Sequence, residues 1–338
     1  MAKKNISIKE IAKLSGVSVA TVSRVINNNG RFSEETRKKV NSIIKEYGYT
    51  TNIAAKSLRT SQSKTIGLLV PNIDNNWFSH LVLAIERIFF EQNYSVFICN
   101  TSQDEKKEIS YFKLLDAKMV DGIICIMGSE DVPTKYLNRD IPVVCIDREP
   151  KEISDAYYVE SDHYDGGYQA TRELIKQGCK DIVFLSRNKP TSANKQRFNG
   201  YLAALKENHI QYREELNVHI DGNLHSYEGA RSAIDRVIKK GIKFDGIFAT
   251  NDWRAYGALA ALKDNHIQVP QQIKIIGFDD ILISSMSIPS LSTIHQDTEK
   301  LAYTACHLLL QLMNKDSSTE IQKKYVLPIK VVRRESTQ

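Results

Sequence analysis

The chain has 338 residues, 42% apolar and 25% charged, with 46 Lys and Arg against 40 Asp and Glu. That length suggests two or three domains, and the balance of apolar and charged residues is that of a globular chain, not a disordered or fibrous one. No apolar run approaches the roughly 20 residues of a membrane helix, and the start, MAKKNISIKE, lacks the apolar centre of a signal peptide, so a cytoplasmic location is expected.

The first sixty residues carry the strongest pattern. Two short helical periods flank Ser15-Gly16-Val17, and a third follows, the layout of a helix-turn-helix whose second helix is shaped to enter a DNA major groove. Ser7 with Glu10 forms a capping box for the first helix, Ser18 caps the second, and Ser33 caps the third ahead of Glu34 and Glu35. Ile8, Ile11, Ala12, Val17, Val22, Val25, Ile26, Val40 and Ile44 supply a small core. Residues 1–60 hold twelve Lys and Arg against four Asp and Glu, a net of +8; the whole chain is +6, which leaves −2 for the other 278. A basic block with helical periods and caps is the footprint of a phosphate-binding module, not a solvated tail.

A short helical pattern over 53–58, capped by Asn52, comes next, and the polar residues 60–63 read as a linker. From Thr65 onward, apolar runs at 66–70, 94–99, 122–126, 143–146, 182–185, 246–249 and 273–278 predict strands. Amphipathic stretches lie between them, for example 78–91, 105–117, 166–176, 194–208, 227–239 and 252–265. Such alternation predicts a parallel sheet covered by helices on both faces, and the length suggests two sheets with a cleft between. The expected domains are a headpiece over 1–50, a hinge helix and linker over 51–63, and a two-lobe α/β core over 64–338. The five cysteines, Cys99, Cys125, Cys145, Cys179 and Cys306, are odd in number and widely spaced, which indicates neither a zinc site nor a disulfide framework.

G-V-S-x-x-T-V-S-R-V-I-N at 16–27 resembles the DNA-binding signature of the LacI/GalR family of transcriptional repressors, as do E-E-T-R-K-K-V, G-Y-x-x-N and A-x-S-L after it. The resemblance continues in K-T-I-G-L-L-V-P at 64–71, V-D-G-I-I at 120–124 and I-P-V-V-C-I-D-R at 141–148. It ends with F-A-T-N-D at 248–252, I-G-F-D-D at 276–280 and S-T-I-H-Q-D at 292–297. It implies a helix-turn-helix headpiece, a hinge helix, a core like periplasmic sugar-binding proteins, and a homodimer on a pseudo-palindromic operator.

For DNA, Arg24 can donate two hydrogen bonds to a guanine, and Val19 and Ala20 occupy the family's base-reading positions, where they can meet thymine methyls. Ser18, Thr21, Ser23 and Asn27 are expected to position phosphates, with Ser7 also in the DNA-binding set; for Ser18 and Thr21 helix capping is the alternative. The resemblance makes residues 52–58 a minor-groove element, with Asn52 as its cap, Ala55 near the groove floor and Leu58 as an apolar wedge, the alternative being that Leu58 packs on the core.

As its small-molecule effector, the resemblance implies a sugar or sugar phosphate.

 Trp77 and Phe78, in the loop PNIDNNWF at 71–78, are placed by the resemblance at the cleft, where aromatic faces can cover a sugar ring. Asp147, Arg148, Arg197, Asn251, Trp253, Asp279 and Gln296 complete the expected effector set, most of them at strand ends, where open α/β sheets bind ligands. Of the neighbours Asp279 and Asp280, one is expected to face the cleft.

The function implied is a DNA-binding regulator, a repressor of a sugar-utilisation operon released by its effector. The alternative is a global carbon-catabolite regulator of the same family answering to a phosphorylated partner protein. No H-E-x-x-H, G-x-x-x-x-G-K-[ST] or G-x-S-x-G motif points to an enzyme, and no catalytic residue, metal or cofactor is expected.

Overall fold

The computed structural model describes residues 6–49, 62–128, 131–150, 156–188, 191–221, 225–314 and 321–338. It comprises two compact units, Met1–Ser63 and Lys64–Gln338.

Among the described residues, the first unit holds three helices, α1 (Ile8–Ser15), α2 (Val19–Ile26) and α3 (Glu34–Tyr47). Each begins on a serine. Ser7 and Glu10 form the reciprocal capping box, with the Ser7 N–H donating to Glu10 Oε2 at 2.7 Å. Ser18 and Ser33 accept from the N–H of Thr21 and Thr36, both at 3.1 Å. Such caps contribute about 1 kcal/mol each, which matters for a small core in which, among the described residues, Ile11, Ala12, Val22, Val25 and Val40 are buried together. Around them Ile8, Val17, Ile26, Phe32 and Ile44 are partly buried.

Among the described residues, the second unit contains twelve strands. They are β1 (Thr65–Val70), β2 (Ser95–Asn100), β3 (Gly122–Ile126), β4 (Val143–Ile146), β5 (Tyr157–Ser161) and β6 (Ile182–Arg187), followed by β7 (Asn217–Ile220), β8 (Gly246–Ala249), β9 (Lys274–Asp279), β10 (Ser292–His295), β11 (Lys324–Leu327) and β12 (Lys330–Val332). Its helices are α4 (Asn76–Glu91), α5 (Glu105–Ala117), α6 (His163–Lys176), α7 (Ser192–Glu207), α8 (Ser226–Lys239), α9 (Asp252–Asp264), α10 (Leu282–Met286) and α11 (Thr298–Asn314).

Two six-stranded sheets result, in the orders β11-β5-β4-β3-β1-β2 and β12-β10-β9-β8-β6-β7. All pairs are parallel except β10 with β12. The interior strands β3, β4 and β8 are buried at every residue, as strands covered on both faces must be. In the first lobe, α4 and α11 cover one face and α5 contributes Phe112 and Leu115 to the other. In the second, α8 and α9 cover one face and α6 and α7 the other.

The chain passes between the lobes three times, after β5, after β10 and between β11 and β12. These passages account for most of what the apolar runs leave out. β5, β7, β10, β11 and β12 go beyond the seven predicted strands, because they are short and carry polar or charged residues. Glu160 on β5, for example, is buried against Lys324 Nζ on β11 at 2.9 Å, an ion pair that exists only once the two strands are side by side.

Candidate functional site

The headpiece presents one side of α2. Val22 and Val25 face the small core, so at 3.6 residues per turn the far side carries Ala20, Arg24 and Asn27, with Val19 at the N-terminal end; all four are exposed. Gly30, at φ +92°, lies against the Arg24 stem: a Cβ there would stand 3.3 Å from Arg24 Cδ. The loop between α2 and α3 is braced by Arg37, whose Nη2 donates to Asn28 Oδ1 at 3.1 Å and whose guanidinium lies 5.0 Å from the Phe32 ring centre.

The hydroxyls expected at DNA are largely engaged at helix ends. Ser7 Oγ donates to Glu10 Oε2 at 2.8 Å, Ser18 Oγ lies 2.9 Å from Thr21 Oγ1, and Asn27 Nδ2 donates to the Ser23 carbonyl at 2.7 Å. Capping is thus the role the structure displays for Ser7, Ser18, Thr21 and Asn27. Asn52, Ala55 and Leu58 lie outside the described residues.

The second unit holds a cleft of about 880 Å³ between its lobes. Seven of the nine anticipated effector residues line it: Trp77, Phe78, Asp147, Arg197, Asn251, Asp279 and Gln296. All but Arg197, which stands in the second turn of α7, close or follow a strand or open a helix at the strand C-terminal ends, where parallel sheets leave a crevice.

Arg197, on α7, is 4% exposed. Its Nη1 donates to the Thr250 carbonyl at 2.5 Å, its Nη2 lies 3.2 Å from His163 Nδ1, and its guanidinium stacks 3.6 Å from the Phe278 ring centre. His163 Nε2 lies 2.9 Å from Asp147 Oδ1. This places His163, just past the first passage between lobes, between an acid of one lobe and an arginine of the other. Gly167 and Gly200 permit it: a Cβ at Gly167 would fall 2.0 Å from the Arg197 carbonyl, and one at Gly200 2.1 Å from the Tyr164 carbonyl. The α6 and α7 backbones can approach this closely only without side chains there.

Asp279 accepts from Gln296 Nε2 at 2.8 Å. Burial raises its carboxyl well above the ordinary range, opposed by Arg197 and Arg254. Its neighbour Asp280 faces elsewhere, 2.9 Å from His295 Nδ1 and bonded to Arg334 Nη2 at 2.7 Å. Asn251 caps α9, accepting from the Arg254 N–H at 2.8 Å. Behind these groups Asp252 accepts from Thr293 Oγ1 at 2.6 Å and from the Ile281 N–H at 2.9 Å, and so pins the loop that carries Asp279. Burial raises the Asp252 carboxyl to about 7.

Three expectations need correction. Arg148 does not line the cleft: it is 1% exposed, its Nη1 donates to Glu108 Oε1 at 2.5 Å, and its Nη2 donates to the Asp131 carbonyl at 2.8 Å. Trp253 also turns away, packing on the first lobe's apolar core and against Tyr256. Trp77 and Phe78 are both buried in that core, at 3% and 9% exposure, edge to face at 5.2 Å. They offer no open aromatic platform, and what Trp77 brings to the cleft wall is an indole N–H that no group among the described residues accepts.

The cleft also gathers residues not anticipated, among them Asn75, Arg187, Asn194, Thr250 and Arg254. Arg187 donates to Gln103 across the cleft. Arg187 closes β6 and Arg254 lies in the first turn after β8, positions that the strand-end rule could have flagged.

Two family models match the chain: bacterial regulatory proteins of the lacI family over residues 7–52, and the periplasmic binding protein-like domain over residues 171–337. The HTH-type transcriptional regulator RegA of Clostridium saccharobutylicum is 36% identical over 336 residues, spanning 98% of this chain and 99% of the relative. Among solved structures, the lac repressor dimer bound to operator and the anti-inducer ONPF matches with a TM-score of 0.86 at 25% identity, over 99% of each chain. The complex of the transcriptional regulator CelR with cellobiose matches with a TM-score of 0.74 at 25% identity, over 98% of this chain and all of that one.

Proposed function

From the premise that the chain belongs to the lacI family of bacterial regulatory proteins, and is a DNA-binding transcriptional regulator, we propose that it represses a sugar-utilisation operon and releases its operator when a small sugar fills the cleft. The observation that carries the effector half is the convergence of Arg197, Asp279, Asn251 and Gln296 on one cleft between two lobes. Carboxylate, amide and guanidinium together both accept from and donate to sugar hydroxyls.

On DNA, Arg24 reads a guanine, while Val19 and Ala20 meet apolar groups of the groove floor. The basic headpiece supplies phosphate attraction. One α2 has few base contacts, so a homodimer doubles them on a pseudo-palindromic site. Exposed apolar side chains on the core support that dimer, notably Phe90 at 72% and Ile288 at 91% exposure. The family's hinge role belongs to Asn52, Ala55 and Leu58. A sugar held by residues of both lobes favours one lobe arrangement over another, and a coupling of about 1–3 kcal/mol to DNA affinity suffices for regulation. The protein acts in the cytoplasm and binds its effector without turning it over.

The test is fluorescence anisotropy on a palindromic duplex selected from a random pool, titrated with sugars. Dimeric, sequence-selective binding that a sugar weakens supports the reading. A monomer without sequence preference overturns it, and release only by a phosphorylated protein assigns control to a protein partner.

A further inference from the structure

Three guanidiniums stand on the second lobe's side of the cleft: Arg187 at the end of β6, Arg197 on α7 and Arg254 in the first turn of α9. Of the buried arginines, Arg148 is paired with Glu108, and Arg197 is held by the Thr250 carbonyl, His163 and the Phe278 ring. Arg254 has less. It is 5% exposed, and its side chain makes one hydrogen bond, from Nη1 to Thr250 Oγ1 at 2.8 Å. Among the described residues its buried Nε–H has no acceptor and no carboxylate forms an ion pair with it. Asp279, on the same wall, is already engaged by Gln296, and Asp221 is solvent-exposed.

A buried cation without a counterion is costly, and the cost is removed when a ligand supplies the charge. Burial lowers the Arg254 pKa to about 9, repulsion from Arg187 and Arg197 adds to the effect, and attraction from Asp279 only partly opposes it. The planar guanidinium fork suits the paired oxygens of a phosphate or carboxylate.

We propose that Arg254 is the receptor for an oxyanion on the effector, so that the ligand is an anionic sugar, a phosphate ester or a sugar acid, and not a neutral one. This rests on the effector reading above and narrows it. The sugar hydroxyls go to Arg197, Asp279 and Asn251, and the anionic group to Arg254, with Arg187 on the same wall.

The experiment uses the full-length protein and three kinds of probe, followed by calorimetry, thermal shift and operator release. Inorganic phosphate tests the oxyanion site alone. Ribose and glucose are compared with ribose 5-phosphate and glucose 6-phosphate for the ester arm, and with gluconate and glucuronate for the acid arm. The expected result is that an anionic sugar binds at least tenfold more tightly than its neutral counterpart. Arg254→Met should bring that affinity down to the neutral level and abolish the thermal shift with phosphate, while Arg254→Lys keeps part of both. Retained operator binding by Arg254→Met shows that the variant is folded. A neutral sugar that binds as tightly as its anionic forms, or an Arg254→Met variant with unchanged affinity for them, overturns the oxyanion assignment and leaves the effector reading standing. Arg254-dependent binding of phosphate with no response to any sugar keeps the oxyanion site and overturns the sugar reading. No binding of any probe overturns both.

Discussion

Arg197 stacks on Phe278: its guanidinium carbon stands 3.6 Å from the ring centre while Nη1 donates to the Thr250 carbonyl. Nearly all of this side chain is spent on holding its own position, which is how a buried cation in a ligand cleft becomes a rigid donor. Arg197→Lys keeps the charge but loses both the planar stack and the fork. It should weaken effector binding by about 1–3 kcal/mol and leave operator affinity within error. Calorimetry with the effector and anisotropy with the operator separate the two. Equal loss of both would mean that Arg197 is structural.

Arg24 is exposed on the far side of α2, with its stem over Gly30. Arg24→Ala should cost about 1–3 kcal/mol and relax selectivity at one base pair per half-site. Gly30→Ala, strained at φ +92° and crowding Arg24 Cδ, should reduce affinity in the same sequence-dependent way. Binding to a panel of single-base operator variants is the measurement. A uniform loss on every duplex would reassign Arg24 to a phosphate.

Asp252 has a carboxyl raised by burial to about 7 in the folded protein, against about 3.9 when unfolded. The folded state therefore holds a proton that the unfolded state has released across that interval. The associated stability is complete below about pH 4 and is lost as pH rises to about 7, at up to about 1.4 kcal/mol per pH unit. Asp252→Asn should flatten this part of the stability curve. Urea unfolding at pH 5, 6 and 7 reads it, and parallel curves for variant and parent would disprove the assignment.

Glu173 is 3% exposed and receives two hydrogen bonds from Arg333, Nε to Oε1 and Nη2 to Oε2, both at 2.8 Å. Arg333 holds the Glu173 carboxyl below its ordinary range, so this contribution is present above the unfolded carboxylate value and is lost as pH falls. Arg333→Met strands a buried carboxylate and should cost about 1–3 kcal/mol at neutral pH. The deficit should shrink on acidification, and calorimetric melting at pH 7 and pH 4 tests both statements.

The headpiece was largely legible because its information is local. Ser7, Ser18 and Ser33 lie within three residues of the groups they cap, and Val22 and Val25 share a helix face by spacing alone. The buried strands were legible for a related reason: β3, β4 and β8 are continuous apolar runs, so no partner need be known.

What only the tertiary structure decided is which polar groups meet. Arg148 and Arg254 both follow strand ends, yet Arg148 turns to Glu108, 40 positions away, while Arg254, at the cleft, forms no ion pair among the described residues. His163 reaches its place between Asp147 and Arg197 because Gly167 and Gly200 let two helices nearly touch. Trp77 is an aromatic residue in the expected loop, but packing against Phe78 and the first lobe's core buries its faces. Caps and periodicity act over a turn or two of chain. The direction of a polar side chain in a cleft is set by groups tens to hundreds of residues away, and only the packed fold brings these together.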